Sequence, residues 1–127
     1  MNIIKKMKTY ADIIHGKGID EEQILKVENI LNVKFAEDYK EYLHTFGMAM
    51  VNGHEFTGIG EVEQLDVVEV TIQQRKYNSY ISPNWYVVEE ANIDGIVVWQ
   101  DETGRVYQSD LGKNVSCIAD SLEQYLT

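Results

Sequence analysis

The residue types that most often do chemistry are scarce in this chain, which contains three histidines and one cysteine. His54-Glu55 begins like the helix of a zinc protease, but the second histidine expected four residues later is replaced by Gly58. His15 and His44 share no ligand spacing with it, and Cys117 has no neighbouring Cys or His. The sequence therefore predicts no metal site.

Covalent and acid–base mechanisms also lack a supporting pattern. Cys117 could meet a histidine in space, but a lone cysteine usually packs as a small apolar residue, so we expect a buried structural thiol. Glu89, Glu90 and Asp110 could supply paired carboxylates, although carboxylates on exposed strands are usually solvated. Gly58-x-Gly60 is followed by an acid that would repel a phosphate, and no Gly-Lys-Ser/Thr loop is present. We expect no enzymatic activity and no cofactor.

Negative charge is concentrated in the second half of the chain. The formal net charge is -10, and residues 61–127 hold twelve acids against four lysines and arginines. Such a field repels nucleic acid and anionic membranes and speeds encounter with a basic partner. The charge could also serve solubility alone. Trp85 and Trp99 are expected as anchors in the core or on a sheet face, with a binding surface as the alternative.

Two short amphipathic helices are the clearest elements that could position these side chains. Asp20 followed by Gln23 is a capping-box pattern, and the helix it opens carries apolar residues at helical spacing. A second helix follows after a tight link, so the two must fold against each other to bury their stripes. The expected buried residues are Ile24, Val27 and Leu31 in the first helix and Phe35, Tyr39, Tyr42, Leu43 and Phe46 in the second.

Residues 66–77 fit both a strand and a helix, and the capping pattern of Asp66 with Glu69 favours the helix. A clear hairpin signal lies at Asp101-Glu102-Thr103-Gly104. The fold class predicted is α+β, with N-terminal helices, one central helix, a largely antiparallel sheet and a short C-terminal helix. The helices are expected at 3–14, 20–31, 36–46, 66–77 and 120–126, and the strands at 54–59, 85–89, 96–100, 105–108 and 114–118.

The length of 127 residues fits one domain over 1–127. No apolar run is long enough to span a bilayer, and the basic N-terminus is not followed by a signal-peptide pattern. Cys117 cannot form an internal disulfide, which suits a reducing compartment. We therefore expect a cytoplasmic protein.

The order of the helices and strands resembles the SUKH superfamily, which includes the Smi/Knr cell-wall regulators. The resemblance begins with the helix at 24–31 and continues through Val33-Lys34-Phe35-Ala36-Glu37-Asp38-Tyr39-Lys40-Glu41-Tyr42-Leu43, where Phe35-Ala36 replaces the usual leucine-proline. Residues 66–77, the strand after Trp85, the hairpin and the closing helix follow in the family's order. The match looks closest to YobK-like bacterial immunity proteins.

This resemblance implies an immunity protein, or antitoxin, that binds a cognate polymorphic or LXG-type toxin, such as a nuclease, and occludes its basic active site. The alternative is a non-enzymatic regulatory module similar to the cell-wall regulators. Neither reading involves nucleic acid, membrane or a small-molecule substrate as a partner. From the charge distribution, we expect toxin contacts at Glu61, Glu63, Trp85, Glu89, Glu90, Asp94, Asp101, Glu102, Tyr107 and Asp110.

Overall fold

The computed structural model describes residues 2–91 and 93–126. The elements in chain order are α1 Ile3–Lys8, β1 Ile14–His15, α2 Glu21–Leu31, α3 Glu37–Phe46, β2 Ala49–Val51, β3 His54–Phe56, a 3-10 turn Glu63–Leu65, α4 Val67–Tyr77, β4 Tyr86–Glu90, β5 Val97–Gln100, β6 Val106–Ser109, β7 Val115–Ala119 and α5 Leu122–Tyr125.

The strands form two antiparallel sheets, a small one ordered β1-β2-β3 and a larger one ordered β4-β5-β6-β7. The predicted α+β class is confirmed, with the strands divided between two sheets. The Thr57 N–H donates to the Val88 carbonyl at 2.9 Å, so the segment after β3 lies along β4 and brings the sheets together.

The two amphipathic helices bury the stripes that their spacing predicts, and every residue of both stripes is buried. Asp20 caps α2 by accepting a hydrogen bond from the Gln23 N–H at 2.9 Å. Ala36, at the start of α3, has no side chain that can cap, and its N–H donates to the buried hydroxyl of Tyr86 at 2.9 Å. Helix α3 is therefore fixed directly to β4.

The N-terminal helix is shorter than its periodicity predicts, and the expectation of a helix over 3–14 is wrong beyond Lys8. Ile14 and His15 instead form β1, which pairs with Met50 and Ala49 of β2. Backbone pairing with a distant strand overrides local helical periodicity at this point. Strand β2 itself, with three residues, was too short to give a pattern.

The ambiguous segment 66–77 is a helix, as predicted. Asp66 Oδ1 accepts hydrogen bonds from the Val68 N–H at 2.8 Å and the Glu69 N–H at 3.3 Å, which fixes the start of α4. The expectation that Cys117 is buried is wrong, because β7 is the outer strand of its sheet and exposes this thiol.

Candidate functional site

Helix α4 packs on β4 by its buried face and leaves a polar face toward solvent. Val70 and Thr71 are buried, and the Thr71 hydroxyl accepts a hydrogen bond from the Val87 N–H at 3.0 Å. This contact fixes the orientation of the helix on the sheet. The last turn of α4 therefore lies beside the two turns that join β4 to β5 and β6 to β7.

A groove of about 290 Å³ lies between the end of α4 and these turns. Tyr77 and Leu111 stand at its sides with 74% and 80% of their surfaces exposed. Exposed large apolar side chains gathered in one place are typical of contact sites. We call this depression the α4 groove, and its lining includes Gln74, Tyr77, Tyr80, Glu90, Asp110 and Leu111.

Two of the expected contact acids meet in the α4 groove. Glu90 Oε2 accepts a hydrogen bond from Gln74 Nε2 at 2.5 Å, which holds this carboxylate beside the helix. Asp110 accepts hydrogen bonds from the backbone and side chain of Asn114, which hold the pKa of Asp110 below its ordinary value. Lys113 also lines the groove and places one cation near its acids.

The acidic surface continues from the groove toward the start of α4. Glu63 and Glu69 line a shallow depression together with Gln73 and the same Glu90 that lines the groove. We call the two depressions together the α4 surface. Asp94 is exposed in the turn whose Gly95 lines the groove, so four of the ten expected contact residues lie on or next to this surface.

Trp85 and Tyr107 stack on each other, with ring centroids 3.9 Å apart and an angle of 11° between the planes. The Tyr107 hydroxyl donates to Asp101 Oδ2 at 2.8 Å. Burial alone would raise the pKa of Asp101, but hydrogen bonds from Thr103 and Tyr107 outweigh it and leave that pKa below its ordinary value. These side chains support the hairpin and are not among those lining the α4 groove.

The other expected acids are dispersed. Glu61 is exposed in the loop before α4. Glu102 is exposed at the hairpin tip and lines a separate depression with Lys34 and Asn84. The charge distribution of the sequence therefore marks the acidic half of the protein but does not locate a single patch.

Glu89 differs from the other expected contact residues because only 6% of its surface is exposed. Its carboxylate lies 2.8 Å from His54 Nδ1 and accepts hydrogen bonds from the Glu55 N–H and the Tyr125 hydroxyl. Burial alone would raise the pKa of Glu89, but these hydrogen bonds bring it below its ordinary value. We assign Glu89 to the folded framework and leave it out of the contact surface.

The exposed aromatic and apolar residues of the groove were not predicted from the sequence. Tyr77 and Tyr80 lie at and just after the end of α4, and Leu111 belongs to a turn some thirty residues further along. Tyr77, an aromatic residue at the polar end of a predicted helix, was the sequence signal available for this part of the groove. Its position near Glu90 and Asp110 depends on the fold.

The arrangement offers hydrogen bonds, charge and apolar contact rather than a metal centre. Within residues 2–91 and 93–126, no group of three or more His, Cys, Asp or Glu side chains is placed to hold a metal ion. None of the described helices is long and apolar enough to cross a membrane.

The fold defines a small α+β protein with five described helices and two antiparallel sheets. A family model described as SMI1-KNR4 cell-wall, within the SUKH group, matches residues 1–127, and the chain belongs to this family. The SUKH membership expected from the sequence is thereby confirmed, and the family is generally non-enzymatic. A search of curated proteins found no match.

Proposed function

We propose that the protein is a cytoplasmic immunity protein that binds a cognate toxin through the α4 surface and covers the toxin's basic active site. The observation that carries the proposal is the composition of the α4 groove, where Glu90 and Asp110 lie beside Tyr77, Tyr80 and Leu111. Aromatic faces attract cations, and carboxylates pair with them, so such a groove suits a lysine or arginine side chain of a partner.

The charge of the whole protein supports a basic partner. A formal net charge of -10 would steer a positively charged protein toward this surface and raise the association rate. A nuclease must present a basic cleft to its polyanionic substrate, and an acidic surface can occupy that cleft instead. Inhibition of this kind requires no catalytic group and no cofactor on the inhibitor.

The proposal is tested by co-expressing the protein with the toxin encoded by the neighbouring gene and scoring survival and co-purification. Glu90→Gln with Asp110→Asn removes two charges from the α4 groove and is expected to weaken both protection and co-purification. Glu22→Gln with Glu41→Gln removes two charges from exposed positions on α2 and α3 and serves as the matched control. Unchanged protection by the groove variant would contradict the proposal.

A third variant tests whether the acids outside the α4 surface contribute. Glu61 and Glu102 are both exposed, and Glu61→Gln with Glu102→Gln removes the same charge as the groove variant. If contact is made through the α4 surface, this variant keeps its protection. An equal loss in all three variants would mean that net charge, and no particular patch, determines toxin binding.

A regulatory interaction module is the second candidate, and the description of the matched family as cell-wall related favours it. Such a module would use the same surface for a basic or disordered partner. The two functions differ in gene context, because an immunity protein is encoded beside its toxin. Absence of a toxin gene next to this one, with no protection in co-expression, would favour the regulatory role.

A further inference from the structure

Lys113 is the one cationic side chain among the described residues that line the α4 groove. Its ammonium group forms no ion pair with a described carboxylate, although Glu90 and Asp110 line the same groove. Those two acids are hydrogen-bonded to the uncharged side chains of Gln74 and Asn114. The groove therefore presents two negative charges and one positive charge that do not neutralise one another.

Lys113 also occupies a backbone conformation that does not suit a lysine. Its φ is +62°, in the left-handed region that glycine and asparagine tolerate best. The turn imposes this conformation, because the Lys113 N–H donates to the Asp110 carbonyl at 3.0 Å and the Asn114 N–H donates to Asp110 Oδ1 at 3.1 Å. Within the described residues, the exposed Lys113 side chain forms no hydrogen bond or ion pair that would offset this strain. Strained residues of this kind are concentrated at functional sites.

We propose that Lys113 is a specificity-determining residue of the α4 groove and pairs with a carboxylate of the toxin, an inference that rests on the proposed function. The toxin segment that fills the groove then carries an acidic side chain next to the lysine or arginine that Glu90 and Asp110 bind. The partner of this surface is thus a protein segment of mixed charge within a basic active-site surface.

The physical reason is the cost of covering an unpaired charge. A purely basic toxin surface would bring like charge against Lys113 and take its ammonium group out of water without a partner, and both effects oppose binding. A carboxylate opposite Lys113 removes both costs, while Glu90 and Asp110 keep their attraction for a cation. Lys113 therefore discriminates against other basic proteins that the net charge of -10 would also attract.

Charge reversal at Lys113 distinguishes the two kinds of partner. Lys113→Glu makes the protein more acidic, so a purely basic toxin surface should bind it at least as tightly as wild type. A toxin that places a carboxylate opposite Lys113 should instead bind about tenfold more weakly or worse. The measurement is the Kd of the neighbouring-gene toxin, in an inactivated form, by calorimetric titration. Lys26→Glu makes the same change at an exposed position on α2 and should not weaken binding.

Two neutral substitutions separate binding from folding. Lys113→Asn removes the charge and suits the left-handed backbone, whereas Lys113→Gln removes the charge and keeps the strain. Both should weaken toxin binding, but only Lys113→Asn should raise the midpoint of urea unfolding above that of wild type, by about 0.3 M. A lysine that serves only the turn would leave toxin binding unchanged in both variants, and that result would overturn the proposal.

A charge exchange across the interface identifies the toxin carboxylate. Each exposed acid of the toxin is changed to lysine in turn, and one of these toxins should bind wild type weakly and Lys113→Glu about tenfold more tightly. The proposal is overturned if no toxin variant is rescued, or if Lys113→Glu binds the unmodified toxin as tightly as wild type does. The proposed function survives either result when Glu90→Gln with Asp110→Asn still weakens binding. A wild-type protein that binds no toxin contradicts the proposed function and this inference together.

Discussion

Glu89 Oε1 in β4 lies 2.8 Å from His54 Nδ1 in β3, so a single buried carboxylate joins the two sheets. The hydroxyl of Tyr125 in α5 donates to the same carboxylate, and the Glu55 N–H donates to its other oxygen. One side chain thus connects the small sheet, the large sheet and the last helix. Glu89, which was expected from the sequence to contact the partner, therefore stabilises the folded structure instead.

Glu89→Gln is expected to lower the free energy of unfolding at neutral pH by about 1–3 kcal/mol, because an amide cannot accept all of these hydrogen bonds. The folded-state pKa of Glu89 is lowered, so its ionised form stabilises the protein above the ordinary glutamate pKa of about 4.3. That contribution is lost as pH falls through the lower folded-state pKa. Urea unfolding at a series of pH values measures both effects.

The control for this experiment is Glu61→Gln, at an exposed position. It should leave the free energy of unfolding within about 0.5 kcal/mol of wild type. In acid, wild type should lose more stability than Glu89→Gln does, since only wild type has this carboxylate to protonate. Parallel pH profiles for the two proteins would show that Glu89 does not carry the acid sensitivity.

Tyr77→Ala is expected to separate partner binding from stability. The side chain is 74% exposed, so its removal should change the free energy of unfolding by no more than about 0.5 kcal/mol. If the tyrosine anchors a toxin in the α4 groove, the same change should weaken binding by about 2 kcal/mol. Thermal unfolding and calorimetric titration with the toxin measure the two quantities.

Ile30→Ala is a useful companion to that variant, because Ile30 is also a largely exposed apolar side chain but lies on α2. It should affect neither stability nor binding. A toxin that binds Tyr77→Ala as tightly as wild type would remove the groove from the contact surface.

Glu90→Gln with Asp110→Asn should slow association with a basic toxin in addition to weakening the complex. Neutralising two acids of the contact surface reduces electrostatic steering, and the loss should reach about tenfold in the association rate at low salt. Near 0.15 M salt the difference should shrink, since the Debye length there is about 8 Å. Stopped-flow association at several salt concentrations tests this, and a difference in association rate that does not change with salt would show that these acids do not steer the encounter.

The sequence allowed the helical half of the fold to be predicted because α2 and α3 bury regular stripes and α2 begins at a recognisable capping residue, Asp20. It could not reveal β1, since Ile14–His15 gains its structure from pairing with β2 and not from its own pattern. The α4 groove escaped prediction for the same reason. Tyr77, Glu90 and Leu111 come from three separate segments, and only the packing of α4 on β4 brings them together.

The contact between Ala36 and Tyr86 bears on one of the places where this chain departs from the pattern expected of the family. Where relatives are expected to have leucine-proline, this chain has Phe35-Ala36, and alanine brings an N–H that proline lacks. The Tyr86 hydroxyl accepts that N–H at 2.9 Å and donates to Gln100 Oε1 at 2.6 Å. The tyrosine on β4 therefore satisfies the N–H that alanine introduces at the start of α3.

Tyr86→Phe should consequently lower the free energy of unfolding by about 1–3 kcal/mol, because it leaves a buried N–H without an acceptor and Gln100 Oε1 without that donor. Ala36→Pro removes the same N–H, and the φ of -64° at Ala36 already fits a proline. In the Ala36→Pro background, Tyr86→Phe should cost less, with a coupling of about 1 kcal/mol measured by urea unfolding of all four proteins. Purely additive costs would mean that the bond from the Ala36 N–H to the hydroxyl contributes nothing to stability, and that the hydroxyl stabilises the fold through its bond to Gln100 alone.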